Sequence, residues 1–141
     1  MNLRAVFLAQ EAIQNLDGTF MVWRGGINEF QVSTFPVLLR TALVLRIEAD
    51  PEESRRLHHI RLRVTHADDD PPWQEIPAAF KEPVPPLPVT YLNLLVNLAV
   101  GIVRPGEGAV EIGVDGELVA PSLLFTVKQV PIPPGLLPLQ P

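Results

Sequence analysis

Val37-Leu38-Leu39-Arg40-Thr41-Ala42-Leu43-Val44-Leu45-Arg46-Ile47-Glu48-Ala49 reads with a period of two. Val37, Leu39, Thr41, Leu43, Leu45, Ile47 and Ala49 fall on one parity. Leu38, Arg40, Ala42, Val44, Arg46 and Glu48 fall on the other. Successive side chains of a β-strand point to opposite faces, so the pattern predicts a strand with one face in a core. The next segment repeats it, with Ile60, Leu62 and Val64 facing in and His59, Arg61, Arg63 and Thr65 facing out. Between the two, Asp50-Pro51-Glu52-Glu53-Ser54 reads as a turn. That predicts an antiparallel hairpin with Arg40, Arg46, Arg61 and Arg63 together on its outer face.

Working outward, Asp17-Gly18 and Asp115-Gly116 each sit between apolar runs. Asp and Gly tolerate the positive φ that tight hairpin turns need, so each pair predicts a hairpin. Leu3–Leu16 reads as the first strand. Thr90–Val103 admits a helix capped by Thr90. A strand fits better, because Leu92, Leu94, Val96, Leu98, Val100 and Ile102 keep one parity and Asn93, Asn97 and Gly101 are poor helix formers. Asp68–Pro88 is a Pro-rich connection with a short edge strand expected around Gln74–Lys81. Together these predict an all-β fold, an antiparallel immunoglobulin-like β-sandwich of about 7–8 strands. It occupies residues 1–130, and a Pro-rich extended C-terminal arm follows at 131–141.

Composition narrows the function classes. The chain has 141 residues, and its 16 Pro speak against a helical bundle, since proline inside a helix costs about 3 kcal/mol. The absence of Cys removes disulfides, thiolate metal sites and cysteine nucleophiles. A net charge of −5 argues against nucleic acid and anionic membrane surfaces as partners. No apolar run has the length of a membrane helix. The apolar stretch near the N-terminus ends at Gln10-Glu11, too soon for a secretory signal. Without a signal or cysteine, the expected compartment is the cytoplasm.

A second line comes from the order of punctuation marks: an apolar first strand, Asp17-Gly18, Gly25-Gly26-Ile27, Phe35-Pro36 and Arg46. It continues through Val96-Asn97, Pro105-Gly106, Asp115-Gly116-Glu117 and Pro121. In these the chain resembles an uncharacterised bacterial domain-of-unknown-function family of small β-sandwich proteins, over roughly residues 3–128. The resemblance implies a β-sandwich and supplies no catalytic residues. The tail after Val130 looks like an addition to the family pattern.

Candidate chemistry is sparse. His58, His59 and His66 precede Asp68-Asp69-Asp70, a set that could bind a divalent metal in a metal-dependent hydrolase. Parity separates His59 from the other two, and residues eight apart on a strand lie ~26 Å apart. The blander reading is a strand flanked by a solvated acidic turn. Ser33, Ser54 and Ser122 lack a nucleophile elbow, and Gly25-Gly26 is too short for a phosphate loop. Trp23 is expected in the core and Trp73 as a loop anchor. Trp73 and Tyr91 form the ligand-binding alternative, for a sugar or peptide.

What remains is apolar surface. Leu38, Val44 and Leu95 occupy nominally outward positions. The arm carries Ile132, Leu136, Leu137 and Leu139 and no charged side chain, so it should dock on its own sandwich or on a neighbouring subunit. The sequence therefore predicts a non-enzymatic protein-interaction or assembly module, self-associating, with no cofactor and with itself or another protein as partner.

Overall fold

Alternating apolar positions draw the described residues into ten strands and one helical turn. In chain order these are β1 (Asn2–Gln14), β2 (Phe20–Gly25), β3 (Glu29–Val32), β4 (Val37–Ala49), α1 (Pro51–Ser54), β5 (His58–His66), β6 (Gln74–Ala78), β7 (Thr90–Ile102), β8 (Gly106–Val114), β9 (Glu117–Leu118) and β10 (Leu123–Gln129). The structure is a computed structural model that describes all residues except 68, 82–86, 119–122 and 133–141. One sheet has the order β2-β1-β4-β7. The other runs β3-β10-β8-β5-β6, with β9 beside β8. The expected sandwich is present. The additional strands are short ones, such as four-residue β3 and two-residue β9, in which alternation cannot register. Neighbours are antiparallel apart from β3 and β10, which run parallel because the chain crosses from β2 to the far edge of the second sheet.

The parity of β4 holds. Leu43, Leu45 and Ile47 are buried between the sheets with Leu8 of β1, Ile60 and Leu62 of β5, and Val110 and Ile112 of β8. Full burial of each such side chain contributes about 1.5–3 kcal/mol. Phe125 of β10 closes the core, edge-to-face with Phe30 at 5.9 Å and stacked on His66 at 6.4 Å. β7 is a strand over thirteen residues, in register with β4 from Val37↔Ile102 to Ala49↔Thr90. β6 is the expected edge strand, with Pro77 inside it. Both Asp-Gly pairs turn hairpins, and at the second Asp115 (φ 52°) and Gly116 (φ 87°) hold the two successive positive φ values such a turn requires.

One expected pairing is absent. β4 and β5 do not form a hairpin, because they belong to different sheets. The link between them is α1, started by a capping box. The Asp50 carboxylate accepts the Glu53 N–H at 2.7 Å, and the Glu53 carboxylate accepts the Asp50 N–H at 3.1 Å. Pro51, already lacking an N–H, suits the first turn. This turn carries the chain from one sheet to the other. The four arginines are divided accordingly, Arg40 and Arg46 on the first sheet and Arg61 and Arg63 on the second.

Candidate interaction surface

β1 pairs with β4 only as far as Ala9, the last residue in that register (Ala9↔Ala42). There the buried Thr41 hydroxyl donates to the Ala9 carbonyl at 2.8 Å, a side-chain bond where the β1–β4 backbone register ends. The remainder of β1 pairs with β2 alone and folds back over the outer face of the sheet. Its tip is fastened to β7: Gln14 Nε2 donates to the Asn93 carbonyl at 2.9 Å, and Asn93 Nδ2 donates to the Gly18 carbonyl at 2.9 Å. Small residues permit the close approach. Ala9, Ala12, Ala42 and Val44 form a second buried cluster, with Phe7, Phe20 and Leu95 packed around it.

The other side of this hairpin faces water. Ile13 stands opposite Met21, and Glu11 opposite Trp23, so Ile13, Met21 and Trp23 share one face. They are 47%, 50% and 43% exposed, and Leu16 at the tip is fully exposed. Trp23 is therefore not a core residue. β2 is an edge strand, and Trp23 lies on the side of the hairpin turned away from the sheet. Every residue from Phe20 to Trp23 is apolar, so alternation could not assign its face.

The interface candidates divide. Val44, expected at the surface, is only 2% exposed, covered by the chain's own hairpin. Leu95 packs half-buried against the same cluster. Leu38 remains 51% exposed opposite Gly101. Ile132 is half-buried just beyond β10, while Leu136, Leu137 and Leu139 lie outside the described residues. The small side chains of Ala9, Ala12 and Ala42, each isolated among larger residues, are the available trace of the folded-back hairpin.

The ligand candidates are not brought together. Trp73 lies on the second sheet beneath the guanidinium groups of Arg63 and Arg61, 4.4 and 5.1 Å from its ring centre. Arg63 is held in turn by Glu111 (Nε to Oε2, 2.7 Å) and Asp70 (2.8 Å). This is the loop-anchoring role expected of Trp73. Tyr91 lies on the first sheet, under Arg46 at 4.1 Å. A cleft of about 490 Å³ does open between Asn97–Gly101 of β7 and the second sheet, lined also by Arg63, His66, Asp70 and Gln74. His66 is buried there, and its Nε2 has no hydrogen-bond partner.

His58 and His66 sit at opposite ends of β5, and His59 faces the other way. Among the described residues no group of three or more His, Asp or Glu converges to hold a metal ion, and Asp68 lies outside them. His58 is a structural clamp. Nδ1 faces the Asp115 carboxylate at 2.5 Å and Nε2 faces the Glu53 carbonyl at 2.6 Å. Both partners are acceptors, so both ring nitrogens donate and the imidazole is cationic. Burial alone would lower its pKa; the Glu53 carbonyl and Asp115 outweigh it and hold it above the ordinary value. Burial would raise the Asp115 pKa; the His59 N–H and His58 outweigh it and hold it below the ordinary value.

Fold and surface together define a small β-sandwich that displays apolar side chains on a folded-back hairpin. The chain matches a family of unknown function (DUF6941) over residues 4–128 and belongs to it. No curated protein and no solved structure matches it. No helix among the described residues is long and apolar enough to cross a membrane.

Proposed function

We propose that the protein is a non-enzymatic interaction module that assembles with copies of itself in the cytoplasm. The observation that carries this reading is the apolar face of the hairpin, where Ile13, Met21 and Trp23 stand side by side in water. Single exposed apolar residues are ordinary, whereas a contiguous set marks a contact surface. The net charge of −5 keeps such a surface from binding polyanions without selectivity. Analytical ultracentrifugation of the full chain tests the proposal, alongside Met21→Glu and a chain lacking residues 131–141. The expected result is an assembly heavier than the 15.6 kDa chain that Met21→Glu weakens. A 15.6 kDa species at every concentration overturns it.

A second reading, small-ligand binding, has one observation in its favour: the unpartnered His66 Nε2 at the wall of the cleft beside β7. Trp73 and Tyr91 contribute no open stacking face to it. Titration with sugars and short peptides, read by NMR at the His66 ring, tests this reading. An unmoved His66 resonance retires it.

A further inference from the structure

A β-sandwich of two open sheets has four edges, and each exposes backbone N–H and C=O groups able to pair with another strand. All but one of these edges are blunted: ahead of Ala9, where the pairing with β2 ends, the edge of the first sheet is β1 itself, which carries Arg4 and a register shift between Leu3 and Ala5. β2 is six residues long and ends on Arg24-Gly25; β3 has four residues and starts on Glu29; β6 has five, with Glu75 and Pro77 inside it. β7 is different. It spans thirteen residues, TYLNLLVNLAVGI, with no charged side chain and no proline. It pairs with β4 on one side and with no described strand on the other.

The burial of its side chains carries the same message. Leu43, Leu45 and Ile47 of β4 are buried, whereas on β7 Leu98 and Ile102 are buried but Leu92, Leu94, Val96 and Val100, which face the same core, are half-buried. Both rows meet the same opposing sheet, and β7 has no described neighbour on its outer side, whereas β4 is flanked by β1 from Ala42 to Glu48. The cleft beside Asn97–Gly101 leaves space along part of this edge.

We propose that the β7 edges of two copies of this chain pair antiparallel about a two-fold axis, joining their four-stranded sheets into one of eight strands. This gives the self-association proposed above a contact at the β7 edge, separate from the Ile13, Met21 and Trp23 face, and rests on that reading. A two-fold through Val96 places Leu94 opposite the partner's Leu98 and Leu92 opposite the partner's Val100. Tyr91 falls opposite the partner's Gly101, an aromatic ring over a residue without a side chain. The strand is thus complementary to itself and brings no like charges together. The hairpin tip, with fully exposed Leu16, is bonded over Asn93, and Asn93 stands opposite the partner's Ala99. The two-fold therefore brings the hairpin tip of each copy toward the partner's exposed outer face at Ala99, Gly101 and Leu38, where Arg40 stands beside Ala99. The chain's own Pro-rich segments do not suit this edge. Prolines at 83, 85 and 86, and at 131, 133, 134, 138 and 141, fall on both parities and remove ladder donors from either side of such a strand.

Sedimentation velocity on the wild-type chain and on Asn97→Lys/Ala99→Lys tests the proposal. Both substituted positions are exposed on the outer face, so the core is untouched. The expected wild type has twice the 15.6 kDa chain mass. The variant, which crowds four cations at the two-fold, should associate on the order of tenfold more weakly or not at all. A dimer that persists unchanged in the variant overturns the β7 edge and leaves self-association standing. A monomeric wild type overturns both. Should the variant not fold, hydrogen exchange on the wild type decides. Alternate β7 amides, those turned away from β4, should exchange more slowly at dimer-forming concentrations, and equal exchange rates overturn the pairing.

Discussion

Gly108 shows how little room the core leaves at a single position. It stands opposite His66 on β5 and Phe125 on β10. A Cβ there would lie 2.3 Å from Phe125 Cζ and 2.6 Å from the Thr65 carbonyl oxygen. The ring could turn away at the cost of its stacking on His66, but the carbonyl belongs to the ladder and cannot. Gly108→Ala is expected to destabilise by about 1–3 kcal/mol, measured as a lower urea midpoint with unchanged slope. His58 supplies a second residue-scale test. Its folded-state pKa lies above the ordinary 6.5, so its contribution is complete below that value and is lost as pH rises through the folded pKa. The Asp115 pKa lies below the ordinary 3.8, so its contribution is complete above that value and is lost as pH falls through the folded pKa. The clamp is strongest between the two ordinary values. Asn tolerates the positive φ of position 115 while discarding the charge. Asp115→Asn should therefore lower stability most in that window and progressively less once His58 loses its proton. Denaturation at a series of pH values measures the difference; a constant gap across the series would contradict the clamp.

The folded-back hairpin is a device at the scale of elements. It lies on the sheet because Ala12 and Ala42 are small, and a larger side chain in that second cluster has no space to enter. Ala42→Leu is expected to cost about 1–3 kcal/mol and to hasten amide exchange across residues 10–25 relative to β8. Unchanged exchange there would mean that the hairpin is held by its tip bonds alone. The long strands were legible in the sequence because Val37–Ala49 and Thr90–Ile102 each sustain one parity over many residues. The Asp-Gly turns were legible because few residues accept their backbone geometry. The course of the chain between elements was not. Asp50-Pro51-Glu52-Glu53 satisfies both a turn and a capping box, and only the second sends β5 to the other sheet. Burial of Val44 was equally hidden, since it depends on β1 parting from β4 at Ala9, a tertiary event that no local pattern records.

For the molecule as a whole, the sequence specifies two packed layers and an acidic, cysteine-free chain, and the position of β7 at the rim of its sheet emerges only once the strands have an order. An uncharged strand reads the same at the centre of a sheet as at its rim. Its position as the outermost member of β2-β1-β4-β7 turns TYLNLLVNLAVGI from ordinary core into an open edge. The β4–β7 ladder has another consequence, a kinetic one. It is the longest pairing among the described residues, yet its partners are separated by more than forty residues even at their nearest point, Ala49↔Thr90. The intervening chain contributes β5 and β6 to the opposite layer, so a nascent β4 must wait, with its apolar face uncovered, for a segment made much later. Loop-closure entropy is paid before that ladder returns anything, which puts folding in the slow, non-local regime of about milliseconds to seconds. During that interval β4 is the segment most open to mispairing, and chaperone capture of the emerging polypeptide would be concentrated there.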